Sequence, residues 1–430
     1  MLLALVLAQA IGNPQGPIFS QPSTLSSFAF FEAFPASGAG TTTACSTTPP
    51  TGARGEVLTY AGVGPKTCTK GVNGLRGTLI ADGDLSSLTT LPRVEFDVDG
   101  FLGLLVEASA MTINIQARPL CNAAWSDVGT PDCLANATTG PWGTTTMARI
   151  TDNDAAAPEG RSQVVATTSA TRFTAYCYVK AGTATSAAIQ LTGTGSAAGD
   201  CLGSITGLSA TTSSIVECTS AAPYAGTLTA VTAGVVVGTI GTDTGTLFVE
   251  GCDVKPSAIY RTSLNDTTTV AITRATDEAA FNGLSISSAN GLSWSANVQH
   301  PSGNGGALWG SGPAVVADAS NRTQLYRANT NVQNCDYLST SGSRSSGPVI
   351  AAYVAGLSYR QGCSYSGPGA GSTISGYRNG VLTATSAGGL TSAFTATTVL
   401  PGALGAAPTA IPADGIVSRL KVDQSPLGGL

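Results

Sequence analysis

Three acidic side chains, at Glu95, Asp97 and Asp99, have the spacing in this chain that most directly suggests chemistry. They alternate with Phe96 and Val98, so a β-strand would place all three carboxylates on one face. Two carboxylates that flank a sugar ring can act as nucleophile and acid in glycoside cleavage. A solvated strand face or a contact with another subunit would use the same pattern, so both interpretations stay open.

A single histidine limits the other kinds of catalysis. His300 lies within 298–303, VQHPSG, which has the Pro, Ser and Gly content of a loop. Any Ser-His-Asp or Cys-His mechanism would have to use this one residue. A lone histidine in a loop is more typical of a solvated side chain, so the sequence favours a protein that is not an enzyme.

Ten cysteines indicate disulfide bonds, because the count is even and no C-x-x-C spacing suggests a zinc site. Buried reduced thiols are the alternative, and sequence alone does not fix the connectivity. Pairing by nearest neighbours gives Cys45–Cys68, Cys121–Cys133, Cys201–Cys218 and Cys335–Cys363, and leaves Cys177–Cys252 as an outer pair around the third.

Aromatic side chains in loops are the best candidates for binding, because sugars stack their C–H faces on Trp or Tyr. Trp309, in NGGALWGSG, and Trp142, in a Gly-Pro-Trp-Gly turn, are the first candidates for carbohydrate binding, followed by Tyr326. Trp125 and Trp294 have the sequence context of packed residues and are expected in the core.

The composition favours a scaffold of short strands. Only 10% of the residues are charged and 53 are glycine, which disfavours long solvated helices. Short apolar or alternating runs between Gly, Ser and Asn predict antiparallel β-sandwiches of jelly-roll type. The main strands are predicted at 162–168, 172–179, 187–192, 213–219, 227–237 and 246–254, and then at 284–286, 292–298, 323–327, 349–353, 357–361 and 373–377.

The chain of 430 residues is long enough for two cores, since single cores rarely exceed about 250–300 residues. We expect an all-β protein with an arm and linker at 1–54, a short β lead-in at 55–105, and two antiparallel sandwiches in tandem at 106–276 and 277–430. Residues 1–10, MLLALVLAQA, could be a cleaved export signal or a segment that anchors on another subunit.

Two kinds of partner are not expected. The net charge is −5 and the Lys and Arg residues are scattered, so there is no basic stripe for nucleic acid. No apolar run reaches the roughly 18 residues of a membrane span.

An ordered set of motifs resembles phage tail and tail-fibre proteins. The set runs from PRVEFD and GLLVE to NAAW within 91–125, and continues with LFVEG and TRATD within 247–277. In that family such motifs lead into and out of a jelly roll of the carbohydrate-binding-module type. The resemblance covers about 55–277 and implies a non-enzymatic virion protein that contacts cell-surface polysaccharide.

A second resemblance covers about 284–427. Asn379-Gly380 lies between alternating residues, which is the strongest short-range signal of a β-hairpin. The surrounding YRNGVL resembles the YVNGVL-type hairpin of laminin-G or concanavalin-like lectin domains, and 413–427, ADGIVSRLKVDQSPL, resembles their last strand. The resemblance implies a lectin-like second sandwich.

These resemblances also imply partners and a metal. Other virion or tail subunits are expected to bind the N-terminal arm, and a homotrimer is expected for a fibre. Calcium is common in both families, with Asp152 and Asp154 as oxygen donors, although an acidic pair in a turn usually forms only an Asx-turn. No other cofactor is expected, and the expected location is the virion or the extracellular cell surface.

Two alternatives stay open. The cysteines and the cleavable-looking start would fit a secreted bacterial surface adhesin stabilised by disulfides. The segment 95–99 resembles the E-x-D-x-E strand of laminarinase-type glycoside hydrolases, which would make the protein a glycan-cleaving enzyme. Those enzymes place this strand inside a concanavalin-like jelly roll, whereas here it precedes the first expected sandwich.

Overall fold

The computed structural model shows an all-β protein, and no helix occurs among the residues it describes. That part of the chain accordingly contains no helix long and apolar enough to cross a membrane. The described residues are 27–30, 58–61, 69–70, 78–79, 93–97, 100–106, 110–141, 145–168, 171–239, 243–256, 264, 267, 269–274, 278–299, 310–318, 320–327, 333–340, 342–350, 358–387, 390–400 and 415–424.

The strands are numbered in chain order. The first are β1 (Ser27–Phe30), β2 (Leu58–Ala61), β3 (Thr69–Lys70), β4 (Thr78–Leu79), β5 (Arg93–Asp97), β6 (Gly100–Val106) and β7 (Ala110–Thr112). They are followed by β8 (Ser126–Val128), β9 (Asp132–Thr139), β10 (Thr145–Asp152), β11 (Gly160–Ala166), β12 (Phe173–Ala181), β13 (Ser186–Thr194), β14 (Cys201–Thr206), β15 (Ser214–Thr219), β16 (Ala230–Val237) and β17 (Gly245–Pro256).

The remaining strands complete the chain. They are β18 (Ile272–Arg274), β19 (Glu278–Phe281), β20 (Ile286–Ser287), β21 (Leu292–Gln299), β22 (Gly310–Asp318), β23 (Asn321–Arg327), β24 (Gln333–Ser339), β25 (Gly342–Ile350), β26 (Ser358–Tyr365), β27 (Thr373–Arg378), β28 (Val381–Ala387), β29 (Thr395–Ala396), β30 (Thr398–Leu400) and β31 (Gly415–Asp423).

The first sandwich consists of two five-stranded antiparallel sheets. One, named the open sheet, has the order β14-β13-β16-β11-β8, and the other, named the covered sheet, has the order β15-β12-β17-β10-β9. Alternate residues of each strand face the space between the sheets, since side chains on a strand point to opposite sides in turn. Ile189 and Val235 from the open sheet thereby share one core with Val179 and Val249 from the covered sheet.

The second sandwich also has two sheets. The larger has the strand order β28-β27-β26-β21-β31-β6-β5-β3-β4, and β1 pairs with β31 beside it. The other has seven strands, in the order β2-β19-β30-β22-β23-β24-β25. Among the described pairings, all are antiparallel except that between β3 and β5. Between the sheets the rings of Tyr337 and Tyr365 stack with centroids 3.8 Å apart. Trp294 is buried in the same core.

The first sandwich is inserted into the chain of the second, and the two are joined by a pair of strands that we call the neck. β7 and β18 pair antiparallel with Thr112 opposite Ile272, so the chain enters and leaves the first sandwich side by side. On either side of this neck the chain belongs to the second sandwich, because β6 pairs with β31 and β2 pairs with β19. The predicted lead-in therefore supplies strands to the sheets of the second sandwich, and the order of the units is nested rather than strictly consecutive.

Most of the predicted strands are present with small shifts at their ends. The strand predicted at 172–179 is β12, and the one predicted at 292–298 is β21. The strand predicted at 349–353 was placed too late, since β25 is Gly342–Ile350 and begins in a Ser- and Gly-rich run without apolar alternation. Other strands, β9, β14 and β24 among them, were not predicted, because their apolar residues do not alternate regularly.

Four of the five predicted cysteine pairs are present as disulfides. Cys177–Cys252 joins the neighbouring strands β12 and β17 within the core, and Cys201–Cys218 joins the open sheet to the covered sheet. Cys121–Cys133 ties the segment before β8 to β9, and Cys335–Cys363 joins the two sheets of the second sandwich. The predicted pair Cys45–Cys68 lies outside the described residues.

Candidate functional site

The outer side of the covered sheet carries polar side chains that are buried and bonded to one another. The hydroxyl of Tyr176 donates to Asp253 Oδ2 at 3.0 Å, and Lys255 Nζ lies 3.0 Å from the same oxygen. Lys255 also donates to the hydroxyl of Thr112 in the neck at 3.2 Å. Tyr176, Asp253 and Lys255 each have 0% exposure, so the network is closed to solvent.

The chain segments that leave the neck cover this network. The side chain of Asn114 donates to the carbonyl of Cys252 at 2.8 Å and accepts from the amide of Val254 at 2.8 Å. Ala117 and Leu264 pack against the rings of Tyr176 and Tyr178. We call this the covered face, because the side chains of Tyr176, Lys255 and Asn114 are buried and bonded within the protein.

The hairpin between β9 and β10 covers the other end of the same face. Lys180 Nζ donates to the carbonyl of Thr139 at 2.8 Å and lies 5.7 Å from the centre of the Phe248 ring. Burial lowers the pKa of Lys180. Gly140 lies so close to the carboxylate of Glu250 that a Cβ at this position would have no room. The flanks of the turn that carries Trp142 are thus fixed on the sandwich.

The outer side of the open sheet is different. Its outward positions carry uncharged side chains. Ala188 and Val236 are buried toward one end, whereas Val164, at 63%, and Leu202, at 57%, are largely exposed. We call this surface the open face. It consists of Ser162, Val164, Ala166, Gln190, Thr192, Thr194, Leu202, Ser204, Ala230, Thr232 and Gly234.

The strand register lines these residues up across the sheet. Gly234 lies opposite both Ser162 and Gln190, and Gln190 lies opposite Leu202, so one row crosses four strands with a glycine near its centre. A Cβ at Gly234 would touch Ser162 at 3.4 Å, so the glycine leaves a shallow depression beside the Gln190 amide.

A neighbouring row across the same strands consists of β-branched side chains. Thr232 lies opposite both Val164 and Thr192. The side chains of Gln190, Thr192 and Thr232 form no hydrogen bond with any other residue that the structure describes. Among the described residues, no side-chain or backbone group competes with a ligand for these donors and acceptors.

The acidic side chains described near this face lie at its two ends. Asp243 Oδ2 accepts hydrogen bonds from the amide of Thr239 at 3.0 Å and from the hydroxyl of Ser186 at 3.3 Å. The amide of Thr239 is the main cause that holds the pKa of Asp243 below its usual value. At the opposite end the Asp200 carboxylate accepts from the amide of Gly193 at 2.7 Å.

The chemistry of the open face suits a neutral polar ligand. Hydroxyl and amide groups both donate and accept hydrogen bonds, and the methyl groups of Thr and Val offer apolar contact beside them. Without a charged side chain in its interior, the face has no group that would attract an anion or bind a metal ion strongly. A polyhydroxylated, uncharged chain matches this pattern.

The predicted carbohydrate-binding residues are not placed by the structure. Trp142 and Trp309 lie outside the described residues, and Tyr326 belongs to β23 but its side chain also lies outside them. Trp125 and Trp294 are buried, as the sequence predicted.

The NAAW motif proves to be a structural turn. The indole Nε1 of Trp125 donates to the carbonyl of Gln116 at 2.9 Å. The guanidinium of Arg161 donates to the carbonyl of Asn122 at 2.9 Å and pairs with Asp127. Buried polar groups are expected to find partners of this kind, and here they fasten the turn to β11.

The predicted calcium donors are used by the loop itself. Asp152 accepts hydrogen bonds from the amides of Asp154 and Glu159, each at 3.0 Å, and Asp154 accepts from Ala156 at 2.8 Å in an Asx-turn. Within the described part of the chain, no group of three or more His, Cys, Asp or Glu could hold a metal ion.

Glu159 is the carboxylate at the centre of that loop. It accepts from the amide of Asn153 at 2.9 Å, and from the amide and hydroxyl of Thr130 at 2.8 and 2.9 Å. The hydrogen bond from Asn153 is the largest cause that holds the pKa of Glu159 below its usual value, and burial opposes it. Glu159 therefore acts as a fixed anion that joins loops from both sheets.

The acidic strand has an unexpected position. β5 contains Glu95 and Asp97 and pairs with β6, which pairs with β31 of the second sandwich. The strand precedes the first sandwich in sequence, but it lies in a sheet of the second sandwich. The side chains of Glu95 and Asp97, and the residues Asp99 and His300, lie outside the described residues.

The open face was not predictable from the sequence, because its residues are the commonest in the chain. Ser, Thr, Ala and Gly at outward positions of β13 and β16 resemble those of any loop here. A signal was present in β13, where Ile189 and Leu191 alternate with Gln190 and Thr192. Which outward surface stays uncovered depends on the neck segments, which strand alternation does not report.

Comparisons with known proteins give no close relative. No family model and no curated protein matches the chain. Among solved structures, domains LG4-5 of the mouse laminin alpha1 chain are 9% identical with a TM-score of 0.26, covering 70% of this chain and 96% of that one. A tail fiber protein, gp63.1, from an E. coli phage is 8% identical with a TM-score of 0.23, covering 74% of this chain and 41% of that one. This chain thus spans less than half the length of the phage protein, and TM-scores this low establish no shared family.

Proposed function

We propose that the protein is a non-enzymatic adhesion and structural component of a virion, such as a tail, fibre or decoration protein, and that its open face contacts a neutral cell-surface glycan. The observation that carries the proposal is the open face itself. Its hydroxyl and amide groups, at Gln190, Thr192 and Thr232 among others, are unused by the described part of the protein and lie on a sheet whose register fixes their spacing.

A rigid array of this kind favours a ligand with many hydroxyl groups. A ligand that replaces water on groups already held in place loses little entropy in ordering them. Disulfides hold the array, since Cys201–Cys218 ties its edge strand to the covered sheet and Cys177–Cys252 supports the strands beneath it. The absence of charge across the row from Ser162 to Leu202 favours neutral over acidic sugars.

The test is binding of immobilised neutral and acidic polysaccharides by the purified full-length protein. We expect retention on a neutral glycan, and at least about a tenfold loss of affinity in the double variant Gln190→Ala, Thr232→Val, because each lost hydrogen bond is worth about 1 kcal/mol. The matched control is Thr385→Val on the exposed side of β28, which should bind as the wild type does. Retention on acidic glycans alone would contradict the proposal.

Stacking on aromatic residues is tested separately. Trp142→Ala, Trp309→Ala and Tyr326→Ala each remove one of the aromatic side chains predicted to bind sugar. A loss of binding in Trp142→Ala alone would extend the site to the hairpin that Lys180 and Glu250 hold. A loss in all three with no effect at Gln190 would move the site away from the open face.

A secreted bacterial surface adhesin is a second candidate, and the four disulfides favour it, because disulfides form and persist in oxidising compartments. The intact mass of the native, unreduced protein separates the two. A retained Met1 supports the virion component, whereas a chain that starts at Ile11 with all cysteines paired supports export.

A glycan-cleaving enzyme is a third candidate, favoured only by the position of β5 inside the second sandwich. The test is release of reducing sugars from the glycan that binds best, with Asp97→Asn as the variant. Release that this substitution abolishes would establish the enzyme, and no release from either protein would remove it.

A further inference from the structure

The edge strands of the first sandwich are not equally protected against pairing with other chains. An edge strand exposes backbone N–H and C=O groups, and proteins usually block them with charge, bulges or short length. β8 has only three residues, and its Asp127 pairs with Arg161. β9 has two register shifts against β10, and β15 carries the exposed Glu217.

β14 has none of these protections. All six of its residues, CLGSIT, pair with β13 in an unbroken register in which Cys201 faces Leu191 and Thr206 faces Ser186. The strand contains no charged residue and no proline, and Leu202 is 57% exposed on its outward side. It is the last strand of the open sheet, so one of its two sides has no strand neighbour among the described residues.

The inner side of β14 is held firmly. Cys201 is bonded to Cys218 of β15, and Gly203 lies so close to the carbonyl of Glu217 that no Cβ would fit there. A strand fixed in this way presents its outer backbone groups without having to be ordered first, which reduces the entropy cost of pairing.

We propose that β14 pairs antiparallel with β14 of a second copy of this chain, about a two-fold axis perpendicular to the sheet. The strand offers no charge for a charged partner to recognise. Its own uncharged sequence meets it without placing like charges opposite each other. A two-fold contact uses the same surface on both copies, which a single undefended edge supplies.

This pairing would join two open sheets into one continuous sheet. A two-fold axis perpendicular to the sheet keeps both open faces on the same side. Two binding surfaces would then approach one glycan-bearing surface together, and the second contact would form at a high effective concentration. The pairing itself does not depend on glycan binding, so the two proposals can fail independently.

The test is sedimentation equilibrium of the full-length protein over a series of concentrations. We expect a monomer–dimer equilibrium, and the double variant Leu202→Lys, Ser204→Lys should raise the dimer dissociation constant at least roughly tenfold, since it places like charges across the axis. A wild type that stays monomeric at every concentration would overturn the proposal. So would a dimer or trimer that the double variant leaves unchanged.

Thr232→Lys is the matched control. It adds the same charge to the open face, but on the central strand β16 instead of the edge. We expect it to leave the dimer intact, and equal dissociation by this variant would show that the copies meet through their faces. Circular dichroism and a count of free thiols check that every variant keeps its fold and the Cys201–Cys218 bond. Leu202, Ser204 and Thr232 all belong to the open face, so these lysine variants are expected to weaken glycan binding as well. The two proposals are therefore separated on the wild type, whose dimerisation is measured without glycan and whose glycan binding is measured in its own assay.

Discussion

The two outer faces of the first sandwich come from the same kind of strand and differ in what their polar groups do. On the covered face, Tyr176, Asp253 and Lys255 bond to one another and have no exposure. On the open face, Gln190 and Thr232 have no side-chain partner among the described residues. Buried polar groups usually have partners, so the covered face serves the fold, whereas the open face is the one that we propose for a ligand.

Side-chain size explains which face is covered. β12 places the long side chains of Tyr176, Tyr178 and Lys180 outward, where they reach the neck segments and the β9–β10 hairpin. β13 places Gln190, Thr192 and Thr194 outward, and short side chains of this kind give a covering segment little apolar area to bury.

The largest loss of stability is expected when a charge is removed from the covered face. Lys255→Met leaves Asp253 buried without its cation, and we expect the free energy of unfolding to fall by about 3–5 kcal/mol. Chemical denaturation measures this. A loss below about 1 kcal/mol would mean that water reaches the network, and that the two faces are alike.

A smaller effect is expected at Glu159, which joins the loops of both sheets. Glu159→Gln puts an amide group against the donors of Thr130 and Asn153, and should cost about 2 kcal/mol at neutral pH. The pKa of Glu159 is lower in the folded protein than its ordinary value of 4.5. The unfolded chain therefore binds the proton more tightly, and acid weakens the folded state.

The pH dependence of that variant is the check. The stabilisation by Glu159 is fully present above the ordinary pKa and is lost as the pH falls through the lower folded pKa. The difference in unfolding free energy between wild type and Glu159→Gln should shrink over this acid range. A difference that stays constant down to the acid limit would show that packing, rather than charge, supplies the effect.

The smallest effect on stability is expected on the open face. Gln190→Ala and Thr232→Val should each change the free energy of unfolding by no more than about 0.5 kcal/mol, because neither side chain is bonded to another described residue. Thermal and chemical denaturation measure the change, beside the binding assay. A loss above about 1 kcal/mol would assign these side chains to the fold instead of to a ligand.

Several local features were predictable because they depend on neighbours in sequence. The Asn379-Gly380 turn is present between β27 and β28, with both residues at positive φ. The burial of Trp294 followed from its apolar strand. Nearest-neighbour pairing gave the Cys121–Cys133 and Cys201–Cys218 disulfides, since short loops close at the lowest entropy cost.

The candidate site was not predictable in the same way. Trp142, Trp309 and Tyr326 were chosen by residue type, and that choice still awaits the binding test. Asp152 and Asp154 were chosen as oxygen donors, and calcium binding by them stays a prediction. The sequence does not show that both Asp152 oxygens and Asp154 Oδ1 accept backbone amides.

The residue pattern indicated the all-β class, most strand positions and the disulfides between neighbouring cysteines, because alternation, turn residues and loop closure act over short distances. Cys177–Cys252, separated by 75 residues, was predicted only as the pair that remained. Only the tertiary structure decided that β5 and β6 join β31 across the inserted sandwich. It also decided which outer face is covered. Both outcomes depend on where distant segments return through the neck at β7 and β18, and strand periodicity contains no information on such long-range pairing.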